Sequence, residues 1–140
     1  MKSHVEFRSD LFPPYEDEEE QVNPGRYGKR LAEFLVSGLK GQQFEPEEPI
    51  AEDWGWVVPI KNKEFNLWIG CGNYEEYPNG FLCFIEPHEP VIRKLPFFRK
   101  INTETTVGKL REAMDQVLAG NPEIHGVQWY SHDEFNQPSS

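Results

Sequence analysis

Three short apolar runs decide the fold that we predict for this chain: Trp54-Gly-Trp-Val-Val-Pro-Ile60, Phe65-Asn-Leu-Trp-Ile-Gly-Cys71 and Gly80-Phe-Leu-Cys-Phe-Ile-Glu86. Each run is rich in aromatic and β-branched residues and is bounded by turn residues, which is typical of β-strands. Because the runs follow one another closely, they predict an antiparallel meander over residues 54–87.

Apolar residues recur at helical spacing both before and after the meander. The first helix is predicted over about residues 24–40, with Asn23 and Pro24 at its start and Gly41 after its last turn. The second is predicted over about residues 105–119, ahead of Gly120.

Alternating segments at both ends of the chain predict further strands, over residues 3–8 and 124–130, and an edge strand is expected near 49–52. Together these elements predict an α+β fold. We expect a mostly antiparallel sheet of about five to six strands, with both helices packed on one face.

The length of 140 residues fits a single domain over residues 1–140. Residues 13–22 combine two prolines with five consecutive acids, which predicts a solvated acidic loop. The polar residues 132–140 predict a frayed C-terminal tail.

Charge and hydropathy exclude several classes of partner. The formal net charge is −10, whereas a nucleic-acid-binding protein normally presents a basic surface, so we expect neither nucleic acid nor an anionic membrane as a partner. No apolar run approaches the roughly 20 residues of a membrane-spanning helix, and the first residues lack the apolar region of a signal peptide. A cytoplasmic location is the expectation.

Neither cysteine stands in a catalytic or metal-binding pattern. Cys71 and Cys83 fall inside predicted strands, where a thiol behaves as a small apolar residue. Glu86, His88 and Glu89 offer acids and an imidazole that His125 could join, but nothing in the spacing brings them together, and surface histidines are favoured. The sequence therefore predicts no catalytic, cofactor or metal residues, and leans against an enzyme.

The distribution of acids motivates the first functional hypothesis. Residues 1–53 hold 13 acids and 6 bases, so most of the negative charge lies in the first part of the chain. An acidic surface attracts basic proteins at long range. We therefore predict a non-catalytic interaction protein, such as an inhibitor or immunity-type binder of a basic partner. Its acidic surface would comprise Glu16, Asp17, Glu18, Glu19 and Glu20.

A small-molecule-binding protein or enzyme with an aromatic pocket is the alternative hypothesis. That pocket would be lined by Trp54, Trp56, Tyr74 and Tyr77, and its polar groups would be Asp53 or His88. Aromatic side chains make up 14% of the chain, so a core can be built from few residues.

The face of the sheet opposite the helices is predicted to be unusually apolar, because antiparallel sheets normally alternate apolar with polar residues. The residues assigned to it by alternation are Val57, Trp68, Leu82, Phe84 and Trp129. We expect this face either to be covered by residues 87–101 through Leu95, Phe97 and Phe98, which we prefer, or to be exposed as a homodimer or partner surface.

Overall fold

The computed structural model describes residues 1–74 and 77–137. The strands are β1 (Lys2–Ser9), β2 (Ile50–Glu52), β3 (Gly55–Ile60), β4 (Leu67–Asn73), β5 (Gly80–Glu86), β6 (Val91–Lys94), β7 (Arg99–Asn102) and β8 (Ile124–Ser131). The helices are α1 (Lys29–Lys40), α2 (Glu104–Ala119) and the single-turn α3 (His132–Phe135), and a short 3₁₀ turn covers Glu18–Glu20.

Six strands form one sheet in the order β2-β3-β4-β5-β1-β8, and each neighbouring pair is antiparallel. The α+β prediction is therefore confirmed, and the predicted meander is β3-β4-β5. Strand β1 lies between β5 and β8, so the two ends of the chain meet at one side of the sheet. Strands β6 and β7 form a separate hairpin.

Helices α1 and α2 cover one face of the sheet and contact each other there. Strand alternation directs aliphatic side chains to this helix-covered face, and the helical stripes supply the opposing layer. The fully buried aliphatic residues of this core are Val5, Leu31, Ala32, Leu35, Leu39, Val58, Ile69, Ile85, Val107, Leu110 and Leu118. Both cysteines are buried in the same core, as predicted; they form no disulfide, and the Cys83 thiol donates a hydrogen bond to the Cys71 sulfur at 3.9 Å.

The predicted start of the first helix is wrong. Asn23 and Pro24 belong to a turn in which the Arg26 N–H donates to the Asn23 carbonyl, and Gly25 adopts a φ of +81°. The helix begins at Lys29, and its amides are capped from a distant part of the chain.

Glu18 supplies that cap, so the prediction that it is a solvated residue is wrong. One carboxylate oxygen, Oε2, accepts hydrogen bonds from the amides of Gly28 and Lys29 at 2.8 and 3.0 Å and from Trp56 Nε1 at 2.9 Å. The other oxygen accepts from the Tyr15 amide at 3.0 Å. The side chain is only 1% exposed. A carboxylate at a helix N-terminus satisfies free amides and complements the helix dipole, which explains its burial.

The predicted cover of the opposite face is also wrong. Residues 87–101 form the β6–β7 hairpin, whose tip residues Leu95, Phe97 and Phe98 are 70%, 88% and 62% exposed. They therefore project into solvent and cover no part of the sheet.

The C-terminal tail was predicted to fray, but its first residues form α3. The Ser131 hydroxyl accepts from the Glu134 amide, and the Glu134 carboxylate accepts from the Ser131 amide, which is a capping box. The Lys2 ammonium also donates to Glu134, and this hydrogen bond, together with those to Ser131, lowers the pKa of Glu134 to about 2. Residues 138–140 lie outside the described part of the chain.

Candidate functional site

The second face is the name that we give to the side of the sheet away from α1 and α2. Strand register places paired residues on the same side, so the pairs His4–Phe84, Gly70–Phe84 and His4–Tyr130 define one row across it. The larger side chains of the second face are His4, Trp54, Val57, Trp68, Leu82, Phe84 and Tyr130.

Trp129 does not belong to the second face, in contrast to the prediction. Its register partner in β1 is Val5, a residue of the helix-covered core. Its indole nitrogen donates to Asp115 of α2 at 3.0 Å. The prediction was wrong because alternation along β8 alone does not fix which side faces the helices.

Three aromatic rings form a cluster on the second face. The Phe84 ring lies 5.3 Å from Trp54 and 5.6 Å from Trp68, and the two indoles are 6.4 Å apart. Trp54 is 37% exposed, and the other two rings are half-buried. The cluster therefore offers indole surface to a ligand while its members hold one another in place.

Gly70 allows this cluster to form. A Cβ atom at this position would lie 2.3 Å from the Phe84 ring, so only glycine leaves room for the ring to lie over β4. The glycine in the Gly70-Cys71-Gly72 triplet thus has a packing role, and the cysteine between the two glycines points into the opposite core.

A groove of about 1010 Å³ lies beside the cluster. Its walls include Trp54 and Trp68 together with three acids, Glu45, Glu47 and Glu52. Two lysines, Lys61 and Lys63, also line the groove, and the Lys61 ammonium lies 3.5 Å from the Glu45 carboxylate. Within the described residues, Glu47 and Glu52 form no ion pair, so they leave negative charge near the indoles.

The acidic loop meets the groove at the start of β3. The Asn23 amide donates to the Asp53 carbonyl at 2.9 Å, which holds the loop against the residue next to Trp54. Four acids of the loop are exposed: Glu16, Asp17, Glu19 and Glu20. Negative charge therefore extends from the groove onto the neighbouring loop.

The aromatic pocket predicted as an alternative is not assembled. Trp56 is 3% exposed and points into the helix-covered core, whereas Trp54 lies on the second face. Tyr74 and Tyr77 line a separate small cavity with Glu6 and Arg8. Asp53 is exposed next to Trp54, and His88 lies with other histidines.

Three histidines converge at the other end of the second face. His88 stacks on His132 with ring centroids 3.8 Å apart, and His4 approaches their rings at 6.5 and 5.5 Å. Burial, together with the charges of His132 and His88, lowers the pKa of His4 to about 4. His4 is therefore neutral near pH 7.

Helix α3 covers this end of the sheet. Its Phe135 ring stacks on His4 at 5.1 Å and lies 6.4 Å from the rings of both Tyr74 and Tyr130. The second face is thus divided into a covered part around His4 and a more exposed part around Trp54.

Sequence reasoning missed this histidine cluster because its members lie at positions 4, 88 and 132, and only the pairing of β1 with β5 and β8 unites them. His125, which we had grouped with His88, is exposed on β8 opposite Arg8. One local signal was present: Ser131 and Glu134 have the spacing of a capping box, which predicts a helix start.

Comparison of the chain with models of protein families, with curated proteins and with solved structures gives no significant match. Among the described residues, no helix has both the length and the apolar character that crossing a bilayer requires.

Proposed function

We propose that the protein is a non-catalytic interaction protein that binds a basic segment of a partner protein, as an inhibitor or immunity-type protein would. The observation that carries this proposal is the groove in which the indoles of Trp54 and Trp68 are combined with the carboxylates of Glu47 and Glu52, which form no ion pair with any residue that the structure describes. Lysine and arginine side chains bind such surfaces through cation–π contacts and charge attraction.

Two further features support the same kind of partner. Tryptophan is enriched among the residues that dominate binding energy in protein interfaces. The exposed acids of the neighbouring loop, Glu16, Asp17, Glu19 and Glu20, extend the negative field beyond the groove. Such a field accelerates the encounter with a basic protein and weakens as salt is added.

The proposal places the protein in the cytoplasm. Cys71 and Cys83 are register partners on neighbouring strands, yet their thiols are free. Free thiols at this separation suit a reducing compartment.

A second copy of the chain is another occupant that the exposed part of the second face could accept. Measuring the oligomeric state of the wild type tests this directly.

The experiment compares three forms of the protein immobilised on beads and exposed to extract of the native host. The groove variant carries Trp54→Ala, Glu47→Gln and Glu52→Gln. The matched control carries Glu112→Gln and Glu123→Gln, which removes the same number of exposed charges from outside the groove. We expect wild type and control to retain a basic protein at low salt, and the groove variant to lose it.

Retention should also fall at moderate salt, because screening weakens the attraction of exposed charges. The retained protein is then purified and titrated against the wild type, with quenching of tryptophan fluorescence as the direct readout. If no basic protein is retained, or if the groove variant retains it as well as the wild type does, the proposal is wrong.

A further inference from the structure

A histidine and two glutamates at the end of β5 converge in a way that the proposed function does not use. His88 Nδ1 lies 2.7 Å from Glu86 Oε1, and His88 Nε2 lies 3.2 Å from Glu89 Oε1. One ligand atom from each of these three residues can be chosen so that all lie within 4.8 Å of one another.

We propose that Glu86, His88 and Glu89 form a binding site for a divalent transition-metal ion of the Zn²⁺ type. Imidazole nitrogen and carboxylate oxygen are both ordinary ligands of Zn²⁺, at roughly 2.0–2.2 Å from the ion. Two such ligands in tetrahedral arrangement are about 3.3 Å apart. The 3.2 Å between His88 Nε2 and Glu89 Oε1 matches that spacing. Glu86 Oε1 lies beside the other ring nitrogen, Nδ1, so the Glu86 side chain turns toward the ion when it binds.

The backbone that carries these residues is held at both ends. Glu86 is the last residue of β5 and is paired with Trp68 of β4. The Thr103 hydroxyl donates to the Glu89 carbonyl, and the Thr103 amide donates to the Pro90 carbonyl at 2.9 Å. A site on an anchored backbone loses little conformational freedom when an ion binds.

Metal binding requires a neutral imidazole and ionised carboxylates. In the described part of the chain, no lysine or arginine forms an ion pair with Glu86 or Glu89, so both carboxylates remain available.

His132 is the nearest additional imidazole, because its ring is stacked directly on that of His88. The competing arrangement is a protonated His88 that simply bridges the two carboxylates. That arrangement predicts no affinity for Zn²⁺, so titration with Zn²⁺ distinguishes it from a metal site.

The test is calorimetric titration of the full chain with Zn²⁺, repeated for His88→Ala, for Glu86→Gln with Glu89→Gln, and for His125→Ala. His125 is the matched control because it is an exposed histidine outside the cluster. We expect one ion per chain, affinity lowered roughly tenfold or more in both cluster variants, and no change in His125→Ala. Circular dichroism verifies that each variant is folded.

Co²⁺ provides a second readout, because its visible absorption reports direct coordination by protein ligands. The wild type and His125→Ala should show the same bands, and His88→Ala should lose them. The proposal is overturned if the wild type binds no Zn²⁺, or if folded His88→Ala binds as tightly as the wild type. It is also overturned if His125→Ala loses as much affinity as His88→Ala. A metal site at these residues would differ from the sequence-based prediction that the chain has no metal ligands. The metal site does not depend on the proposed binding of a basic partner.

Discussion

The two faces of the sheet are built from the same strands but use them differently. On the helix-covered face, Val58, Ile69 and Ile85 are fully buried aliphatic residues. On the second face their immediate neighbours include Trp68 and Phe84, which are half-buried aromatic residues. The contrast shows that one face stabilises the fold by excluding water, whereas the other retains large, fixed rings at the surface, where a ligand can use them.

The largest effect is expected at Ile69, which faces the helices. Ile69→Ala removes buried methyl groups and leaves a cavity, and should lower the free energy of unfolding by about 2–5 kcal/mol. Urea unfolding followed by circular dichroism measures it. Trp68→Ala changes the neighbouring residue on the second face. If Ile69→Ala lowers the free energy of unfolding by less than Trp68→Ala does, the contrast drawn between the two faces is wrong.

Glu18 should have the next largest effect, because it is the one acid of its run that lies inside the fold. Glu18→Ala leaves the Trp56 indole and the first amides of α1 without their acceptor, which should cost about 1–3 kcal/mol. Glu20→Ala is the control at an exposed position of the same run. Equal unfolding midpoints for the two variants would mean that the cap contributes nothing.

Trp68→Glu should disturb the fold less than Ile69→Ala and about as much as Glu18→Ala. The substitution removes ring contacts with Trp54 and Phe84, worth about 0.5–1.5 kcal/mol each, and the new carboxylate can reach solvent. We expect a folded protein with altered fluorescence of the remaining tryptophans. Light scattering adds the oligomeric state: a wild-type dimer that becomes a folded monomer would identify the second face as a self-interface. An unfolded variant would show instead that Trp68 belongs to the core.

The smallest effect is expected at the tip of the β6–β7 hairpin. Phe97 is 88% exposed, so Phe97→Ser should change the free energy of unfolding by less than about 0.5 kcal/mol. Thermal unfolding of the two proteins in parallel is sufficient to measure this. A clearly lower melting temperature for the variant would mean that the hairpin packs onto the molecule after all.

The sequence predicted the helix-covered face well because alternation and helical spacing are local patterns. The meander, α2 and the burial of both cysteines all follow from residues that are close together in the chain. The second face was predicted in part: Trp68 and Phe84 lie there, but Trp129 does not, because the orientation of β8 depends on its pairing with β1.

Local sequence patterns could not predict interactions between segments that are far apart in the chain. Nothing distinguishes Glu18 from the four acids around it, since its burial depends on Trp56 and on the start of α1. The helix start was misplaced for the same reason: Asn23 and Pro24 have the right local chemistry, but the free amides are satisfied by Glu18. The histidine cluster likewise depends on three segments brought together by the sheet.

The interior position of β1 has a consequence for how the molecule forms. This strand is synthesised before the other strands of its sheet, yet its partners lie far along the chain: Lys2 pairs with Ser131, and Phe7 with Phe81. Until β8 has left the ribosome, β1 has an unpaired edge, and the sheet cannot be completed. Contacts of such large sequence separation are associated with slow folding. We therefore expect the native sheet to form only after β8 has been translated, and a nascent chain lacking β8 to depend on chaperones.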